Sequence, residues 1–292
     1  DQVPVQQLHH DSAGETVTAA EYVTPDGTTH RQEAREFVVA CGGVETPRLL
    51  LLSRSETYPD GLANSSGAVG RFFCDHLFAG AGGTDDRQTD QNHVGFNTSE
   101  CHQFYDDADP VVGMKLEFLN YAGPSPVTTA LNADTWGDDL LVDLQRDYGT
   151  HLAMGALVEQ LPRRENRIEL DTSRTDDHGN PVPQIHWSLD DRTRAGLRRA
   201  NKIQTAGLSE LGVTPEWTVG PADTGPAYHH MGTTRMGTDP DASVVDPELR
   251  THDLDNCWLV GSGTFPTGGA MNPTLTIAAL AVRAADRLDA VL

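Results

Sequence analysis

Hydrophobic and polar positions alternate in short stretches along the first part of the chain, which is typical of β-strands. Two such stretches cover residues 3–8 and 16–23, and the turn signal Pro25-Asp26-Gly27 leads into a third. Residues 36–40 are then apolar almost without interruption, as in a strand that is covered on both faces. The pattern predicts an antiparallel meander followed by one fully buried strand.

A leucine-rich helix is predicted directly after the buried strand. The chain runs through Cys41-Gly42-Gly43 and reaches Thr46-Pro47, which precede Arg48 and four consecutive leucines. Threonine is a good N-cap, and proline suits the first helical position because its missing N–H would be unpaired there. We therefore expect the helix to begin at Pro47, with Thr46 as its cap.

Farther along, short strands near Phe78 and over residues 112–119 mix with loops rich in Asp and Gly. A short helix is predicted over residues 136–148, strands over 152–161 and 166–170, and a tight turn over 176–181. Residues 190–211 have helical spacing of apolar positions, and the Ala- and Leu-rich segment from about residue 273 to 292 predicts a final, buried helix.

This order of elements predicts a mixed α/β (α+β) fold with two intertwined domains. Residues 1–77 would form part of one domain, residues 78–220 a second domain of sheet plus helix, and residues 221–292 a return to the first. A chain of 292 residues is long enough for this arrangement.

The charge of the chain is strongly negative. Lys and Arg number 21 against 43 Asp and Glu, which gives −22, and Lys115 and Lys202 are the only lysines. Such a charge argues against nucleic acid or an anionic membrane surface as the main partner. Because the acidic residues are spread along the chain, we interpret them as the solvated surface of a soluble, cytoplasmic protein from a halophile.

The four cysteines lie far apart, and no C-x-x-C pair suggests a zinc or dithiol site, so we expect no metal centre. No apolar run reaches the ~18 residues that a membrane-spanning helix needs.

Two blocks in the last third of the chain carry the candidate chemistry. Residues 229–237 read HHMGTTRMG, and residues 268–276 read GGAMNPTLT. The first contains paired imidazoles, and the second has an amide side chain, Asn272, directly before Pro273. A base on one block and a hydrogen-bonding amide on the other could hold a hydroxyl group while its proton is removed.

These blocks resemble the glucose–methanol–choline (GMC) family of FAD-dependent oxidoreductases. The resemblance is most specific over residues 256–281, which read NCWLVGSGTFPTGGAMNPTLTIAALA, and it extends to ACGGVETPRLLLLS at 40–53 and VGRFFCDH at 69–76. It implies a Rossmann-like FAD-binding domain, a substrate domain, and the oxidation of an alcohol, sugar or polyol. The blocks are nearer in style to bacterial and archaeal sugar or polyol dehydrogenases than to fungal oxidases.

The chain departs from the family pattern in one important way. The family begins with a strand, a G-x-G-x-x-G turn and a helix that cradle the FAD pyrophosphate, and no such fingerprint occurs here. Gly261 also stands where many members carry Asp. We therefore expect an incomplete FAD-binding domain, in the C-terminal portion of such an enzyme.

The resemblance assigns roles to particular residues. His229 would be the base that takes the substrate hydroxyl proton while hydride passes to flavin N5, and Asn272 would orient that hydroxyl. FAD would lie against two glycine-rich turns and the start of the last helix: Gly42, Gly43, Gly261, Ser262, Gly263, Asn272, Pro273 and Thr274. Asn272 could instead cap that helix. Asp75 and His76 are interpreted as structural, and His230 as a packing or site-lining residue.

Two alternatives stay open. The chain could be a non-catalytic fragment or a subunit that needs a separate N-terminal, nucleotide-binding partner chain. A carbohydrate-binding module without chemistry is a weaker alternative, because the 18 aromatic residues do not cluster into a stacking platform. Neither the substrate nor the electron acceptor can be identified from the sequence.

Overall fold

A computed structural model describes residues 3–85, 87, 97–106, 112–120 and 123–292 of the chain. Within these residues the strands are β1 Val5–His10, β2 Val17–Val23, β3 Thr29–Glu33, β4 Phe37–Val39, β5 Leu77–Thr84, β6 Asn97–Cys101, β7 Met114–Leu119, β8 His151–Val158, β9 Arg167–Thr175, β10 Pro181–His186, β11 Trp217–Val219 and β12 Cys257–Leu259. The helices are α1 Gly42–Leu52, α2 Pro126–Asn132, α3 Asp138–Asp147, α4 Asp191–Glu210 and α5 Thr274–Asp289, with a 3₁₀ turn at Ser262–Thr264.

The first strands form the predicted meander, and the buried strand has a distant partner. Strands β1, β2 and β3 pair antiparallel in that order. Strand β4 pairs in parallel with β12, with Val38 opposite Trp258, although more than 200 residues separate them in sequence. The parallel pairing places the carboxyl ends of β4 and β12 side by side, where the segments after them carry the glycine-rich turns.

The predicted start of α1 was wrong. The helix begins at Gly42, and Pro47 lies in its interior. An interior proline removes the N–H that would bond the carbonyl four residues earlier, which here is that of Gly43. The hydroxyl of Thr233 donates to this Gly43 carbonyl at 2.7 Å. The Thr46 hydroxyl accepts from the N–H of Cys41 at 3.1 Å, so it does serve the helix start, which lies five residues earlier than expected.

The second body of secondary structure is a five-stranded antiparallel sheet in the order β11-β5-β8-β7-β6. Helix α4 packs on it through Leu197, Ala200 and Leu208, which are fully buried. The predicted strands in this region and helices α3 and α4 are confirmed, whereas β6, β10, β11 and α2 were missed. Part of the predicted Asp-rich loops, residues 88–96 and 107–111, lies outside the described residues.

The buried apolar residues form separate clusters, and the first and last parts of the chain share one that differs from the cluster of the five-stranded sheet. The largest cluster draws on residues 8–69 and returns at residues 244–284. Another is built from residues 77–200, with Leu77 and Ala200 among its members. The clusters support the proposed division at residues 77 and 220, which stays a prediction.

The expected burial of the last helix was wrong. Ala284 is the buried residue of α5, while Leu275 is 83% exposed and Val282 63% exposed. Apolar residues lie around most of this helix, so one narrow stripe packs on the described core and the rest faces outward. None of the helices described in the structure combines the length and apolarity that a membrane crossing requires.

Candidate active site

The glycine-rich turns after β4 and β12 lie next to each other and are open to space at Gly42 and Gly261. Gly42 has φ +78° and Gly261 has φ +112°, conformations that other residues rarely adopt. Apart from the adjacent residues and the nearby backbone of α1, no heavy atom of the described residues lies within 4 Å of a Cβ built at either position. The carboxyl ends of two parallel strands thus present bare backbone to open space, which is the usual location of a dinucleotide in an open α/β sheet.

The loop that carries the paired histidines is held by both glycine-rich turns. The Ser262 hydroxyl donates to the His230 carbonyl at 2.7 Å. A Cβ at Gly43 would lie 2.3 Å from that same carbonyl oxygen, so only glycine allows α1 to approach this closely. Met231 exchanges two backbone hydrogen bonds with Cys74, at 2.8 and 3.1 Å. The backbone around His229 is therefore fixed by three different segments.

His229 is half-buried and its ring contacts a second histidine. Its Nδ1 lies 2.8 Å from Nδ1 of His76, and the two rings meet edge to face with centroids 5.0 Å apart. The other ring nitrogen of His76, Nε2, lies 2.9 Å from the carbonyl oxygen of Gly269. His76 is fully buried, so these two contacts define its surroundings.

The hydrogen-bond roles along this chain of contacts fix the protonation of both rings. A carbonyl oxygen can only accept, so His76 carries its proton on Nε2. In the neutral ring its Nδ1 is then an acceptor, and Nδ1 of His229 must donate to it. Neutral His229 therefore carries its proton on Nδ1, which leaves Nε2 as its basic nitrogen.

Burial favours the neutral form of both imidazoles. The pKa of His76 falls from 6.5 to about 4, mainly because burial disfavours the charged ring and secondarily because His229 lies beside it. The pKa of His229 is also lowered by burial, while the nearby carboxylate of Asp75 acts in the opposite direction. His76 thus remains a hydrogen-bond acceptor when His229 gains a proton.

Asp75 holds His229 through the backbone. Its Oδ1 accepts from the N–H of His229 at 2.8 Å. Its Oδ2 is buried, makes no hydrogen bond with any residue that the structure describes, and lies 3.7 Å from Nε2 of His230. Burial raises the pKa of this carboxyl, against the hydrogen bond from His229. Asp75 therefore positions His229 without contacting its ring.

Asn272 does not cap the last helix. The N-cap of α5 is Pro273, and no side chain bonds to the helix start there. The Oδ1 of Asn272 instead accepts from Nζ of Lys115 at 2.7 Å. Lys115 is 2% exposed and lies on β7 of the five-stranded sheet, so this contact joins the sheet to the C-terminal block.

The structure brings together most of the residues singled out in the sequence. Hydrogen bonds connect His229 to His76 and His76 to Gly269, which belongs to the second block, residues 268–276. Asn272 lies three residues beyond Gly269 in that block. The turns at Gly42-Gly43 and Gly261-Ser262-Gly263 are adjacent, since Gly43 Cα lies 3.6 Å from a Cβ built at Gly263. Pro273 and Thr274 mark the start of α5.

Two residues of the site were missed. His76 was interpreted as structural, yet it is hydrogen-bonded to the candidate base. Lys115 carried a usable signal, because it is one of two lysines in an acidic chain and lies in an otherwise apolar strand with Glu117 two residues later on the same face.

Stability should depend on pH through His76. Since folding lowers its pKa from 6.5 to about 4, the folded state binds fewer protons than the unfolded state between these values. The contribution is complete above pH 6.5 and is lost as the pH falls toward 4. We expect His76→Gln to remove about 2 to 3 kcal/mol of the difference in unfolding free energy between pH 7 and pH 4.5.

Denaturant titrations at both pH values measure this, with the exposed His178→Gln as a control. An unchanged pH dependence in His76→Gln would contradict the burial argument.

Comparison with known proteins agrees with the features described above. Residues 162–281 match the family model described as GMC oxidoreductase. The chain is 32% identical over 300 residues to 2-methyl-1,2-propanediol dehydrogenase of Mycolicibacterium austroafricanum, covering 98% of this chain and 53% of that protein. It is 33% identical over 280 residues to the fructose dehydrogenase large subunit of Gluconobacter japonicus, covering 93% and 50%.

Solved structures give the same fold. Pyridoxine 4-oxidase from Mesorbium loti superposes with a TM-score of 0.71 at 20% identity, over 98% of this chain and 57% of that one. The chain belongs to the GMC oxidoreductase family, and its matches correspond to the C-terminal portion of the family's members. It spans about half the length of the curated relatives that it matches, 53% and 50% for the two named above.

Proposed function

We propose that this chain carries the catalytic residues of an FAD-dependent oxidoreductase that oxidises a CH–OH group of an alcohol, sugar or polyol. The observation that carries the proposal is the pair of hydrogen bonds that links the Gly269 carbonyl to His76 and His76 to His229. These bonds leave Nε2 of His229 unprotonated. A general base for a hydroxyl proton needs a neutral imidazole at working pH, and burial favours the neutral form of His229.

The residues present fit FAD along part of its surface. Gly42 and Gly261 offer bare backbone at the carboxyl ends of β4 and β12, so a flat ring or a phosphate can approach closely. Gly43, Ser262 and Gly263 would shape the same wall. Helix α5 starts at Pro273 and Thr274, directly after Asn272. Its N-terminus would therefore favour negative charge close to Asn272. FAD held there would supply, at N5, the acceptor for the hydride that leaves the substrate carbon.

Removal of the proton and orientation of the substrate are assigned to residues of this chain. His229 takes the hydroxyl proton on Nε2, and the resulting imidazolium keeps its Nδ1–H bond to His76. His76 stays neutral because of its burial, so it can accept that bond throughout. The amide of Asn272 donates to the substrate oxygen and holds it in one orientation.

The substrate class follows from the relatives by analogy. The two relatives named above are dehydrogenases of a diol and of a sugar, according to their names. We infer a small alcohol or sugar as the substrate of this chain, and the electron acceptor is left open.

The absorption spectrum of the purified chain, with and without added FAD, tests the proposal. It should be recorded anaerobically in molar salt, since a charge of −22 is screened there. We expect a bound-flavin spectrum that bleaches when a diol or a sugar is added. Flavin that binds but bleaches with no member of an alcohol and sugar panel would contradict the proposed reaction.

A second candidate function is that of a subunit or fragment that acts only with a nucleotide-binding partner chain. The exposed apolar side chains Leu275 and Val282 on α5 and Val38 on β4, which is 49% exposed, support it. Contiguous exposed apolar surface marks contact sites, and Leu275 and Val282 lie seven positions apart, on the same face of α5. No flavin retention by this chain, together with retention after an added glycine-rich nucleotide-binding chain, would favour this candidate.

We further infer that the acidic surface is an adaptation to high salt and that the protein is soluble and cytoplasmic. The charge of −22 and the scarcity of lysine, with two in 292 residues, support the inference about high salt.

A further inference from the structure

Lys115 is an unusual residue for its position. Its side chain is 2% exposed, in a chain whose other 20 basic residues include one further lysine. A buried ammonium is costly unless it is paired and all of its protons are hydrogen-bonded. Neither the chemistry proposed above nor the packing of the sheet requires a charge at this position.

Three oxygen atoms surround the ammonium. Nζ of Lys115 lies 3.1 Å from Oε1 of Glu100, and it also forms an ion pair with Oε1 of Glu117 on the same strand. The third oxygen is Oδ1 of Asn272 at 2.7 Å. Asn272 and Glu100 are thus the hydrogen-bond acceptors of this ammonium among the described residues, and Glu117 adds an ion pair.

This contact decides how the amide of Asn272 is oriented. An amide can present its oxygen or its NH₂ group in either direction, and the two are exchanged by a rotation of the side chain. An ammonium can only donate, so the atom that faces Lys115 must be the oxygen. Asn272 is otherwise exposed, and its Nδ2–H donors therefore point away from the sheet.

We propose that Lys115 is a positioning residue, whose ammonium holds Oδ1 of Asn272 so that the amide presents only N–H donors to the substrate oxygen. The inference rests on the role proposed above for Asn272. An Asn that could rotate would spend part of its time presenting an acceptor to the same oxygen. The ammonium also polarises the amide, which strengthens its N–H donors toward an oxygen that gains negative charge.

The experiment is a double-mutant cycle on the FAD-loaded protein. Lys115→Met is combined with Glu117→Gln, so that no buried carboxylate is left unpaired, and both are tested with Asn272 and with Asn272→Ala. With Asn272 present, we expect kcat to fall about tenfold with little change in KM, because orientation is lost. In the Asn272→Ala background, the same pair should change kcat less than twofold.

A purely structural role predicts a different result. Equal losses in both backgrounds would show that Lys115 acts independently of Asn272 and would overturn the proposal. Asn272→Asp is a second probe, since it keeps an oxygen for Lys115 and removes the N–H donors. We expect it to lose turnover but to unfold at a temperature no lower than that of Asn272→Ala; equal turnover to the original chain would also overturn the proposal.

Thermal unfolding separates this inference from the proposed function. If the unmodified chain oxidises no hydroxyl compound, the proposed function fails, and the cycle is then followed by melting temperature. Asn272→Ala should lower the melting temperature with Lys115 present and leave it unchanged in Lys115→Met/Glu117→Gln. Equal lowering in both would show that the contact between Lys115 and Asn272 is not formed.

Discussion

Replacing His229 with Ala should lower the rate of flavin reduction by substrate about 10³-fold, within the range that a positioned general base contributes. His229 is the residue whose Nε2 is left unprotonated and whose backbone is fixed by Asp75. Alanine removes the base without altering that backbone contact. Anaerobic stopped-flow absorbance at saturating substrate measures the rate, and the flavin spectrum before mixing reports cofactor binding.

The control for this variant is His178→Ala, which removes an exposed imidazole from the turn between β9 and β10. It should reduce flavin at the original rate. Turnover of His229→Ala within a few fold of the original would rule out His229 as the base, provided that its flavin spectrum is unchanged. Loss of the flavin itself would instead assign His229 to cofactor binding.

Replacing His76 with Leu should lower the same rate about 100-fold, because the tautomer of the base is then no longer fixed, and a base in the wrong tautomer is severely impaired. The leucine fills the buried space, but it neither accepts from Nδ1 of His229 nor donates to the Gly269 carbonyl. His229 is then free to carry its proton on either nitrogen. Flavin reduction at saturating substrate is again the measurement.

The matched variant is His76→Gln, which supplies an oxygen toward His229 and an N–H toward Gly269. It should recover most of the rate that His76→Leu loses. If Leu and Gln impair the reaction equally, His76 matters through its volume and not through hydrogen bonding, and the tautomer argument is wrong.

Most of the strands and the longer helices were predictable because they depend on local periodicity. Residues 16–23 alternate over one meander strand, and residues 190–211 carry the apolar stripe of α4. The start of α1 was not predictable, because the Gly43 carbonyl left unpaired by Pro47 is satisfied by Thr233, 190 positions away. Nothing local to Pro47 contains that information.

The candidate site shows the same division. His229 and Asn272 stand in blocks that resemble a known family, so the sequence singles them out as candidates. The role of His76 depends on a bond to a carbonyl 193 positions away, and that of Lys115 on an amide 157 positions away. Such partners are set by tertiary packing and leave only indirect signals, such as a lysine within an apolar strand.

The proposed reaction depends on an unprotonated Nε2 in the ring of His229, and the ¹⁵N NMR signals of this ring test that state most directly. Spectra of ring-labelled protein, assigned with the His229→Ala variant, distinguish a protonated from an unprotonated ring nitrogen. At pH 7 we predict that Nδ1 is protonated and Nε2 is not, because burial lowers the pKa of His229 and His76 accepts from Nδ1. A proton on Nε2, or a fully charged ring at pH 7, would contradict the proposed base.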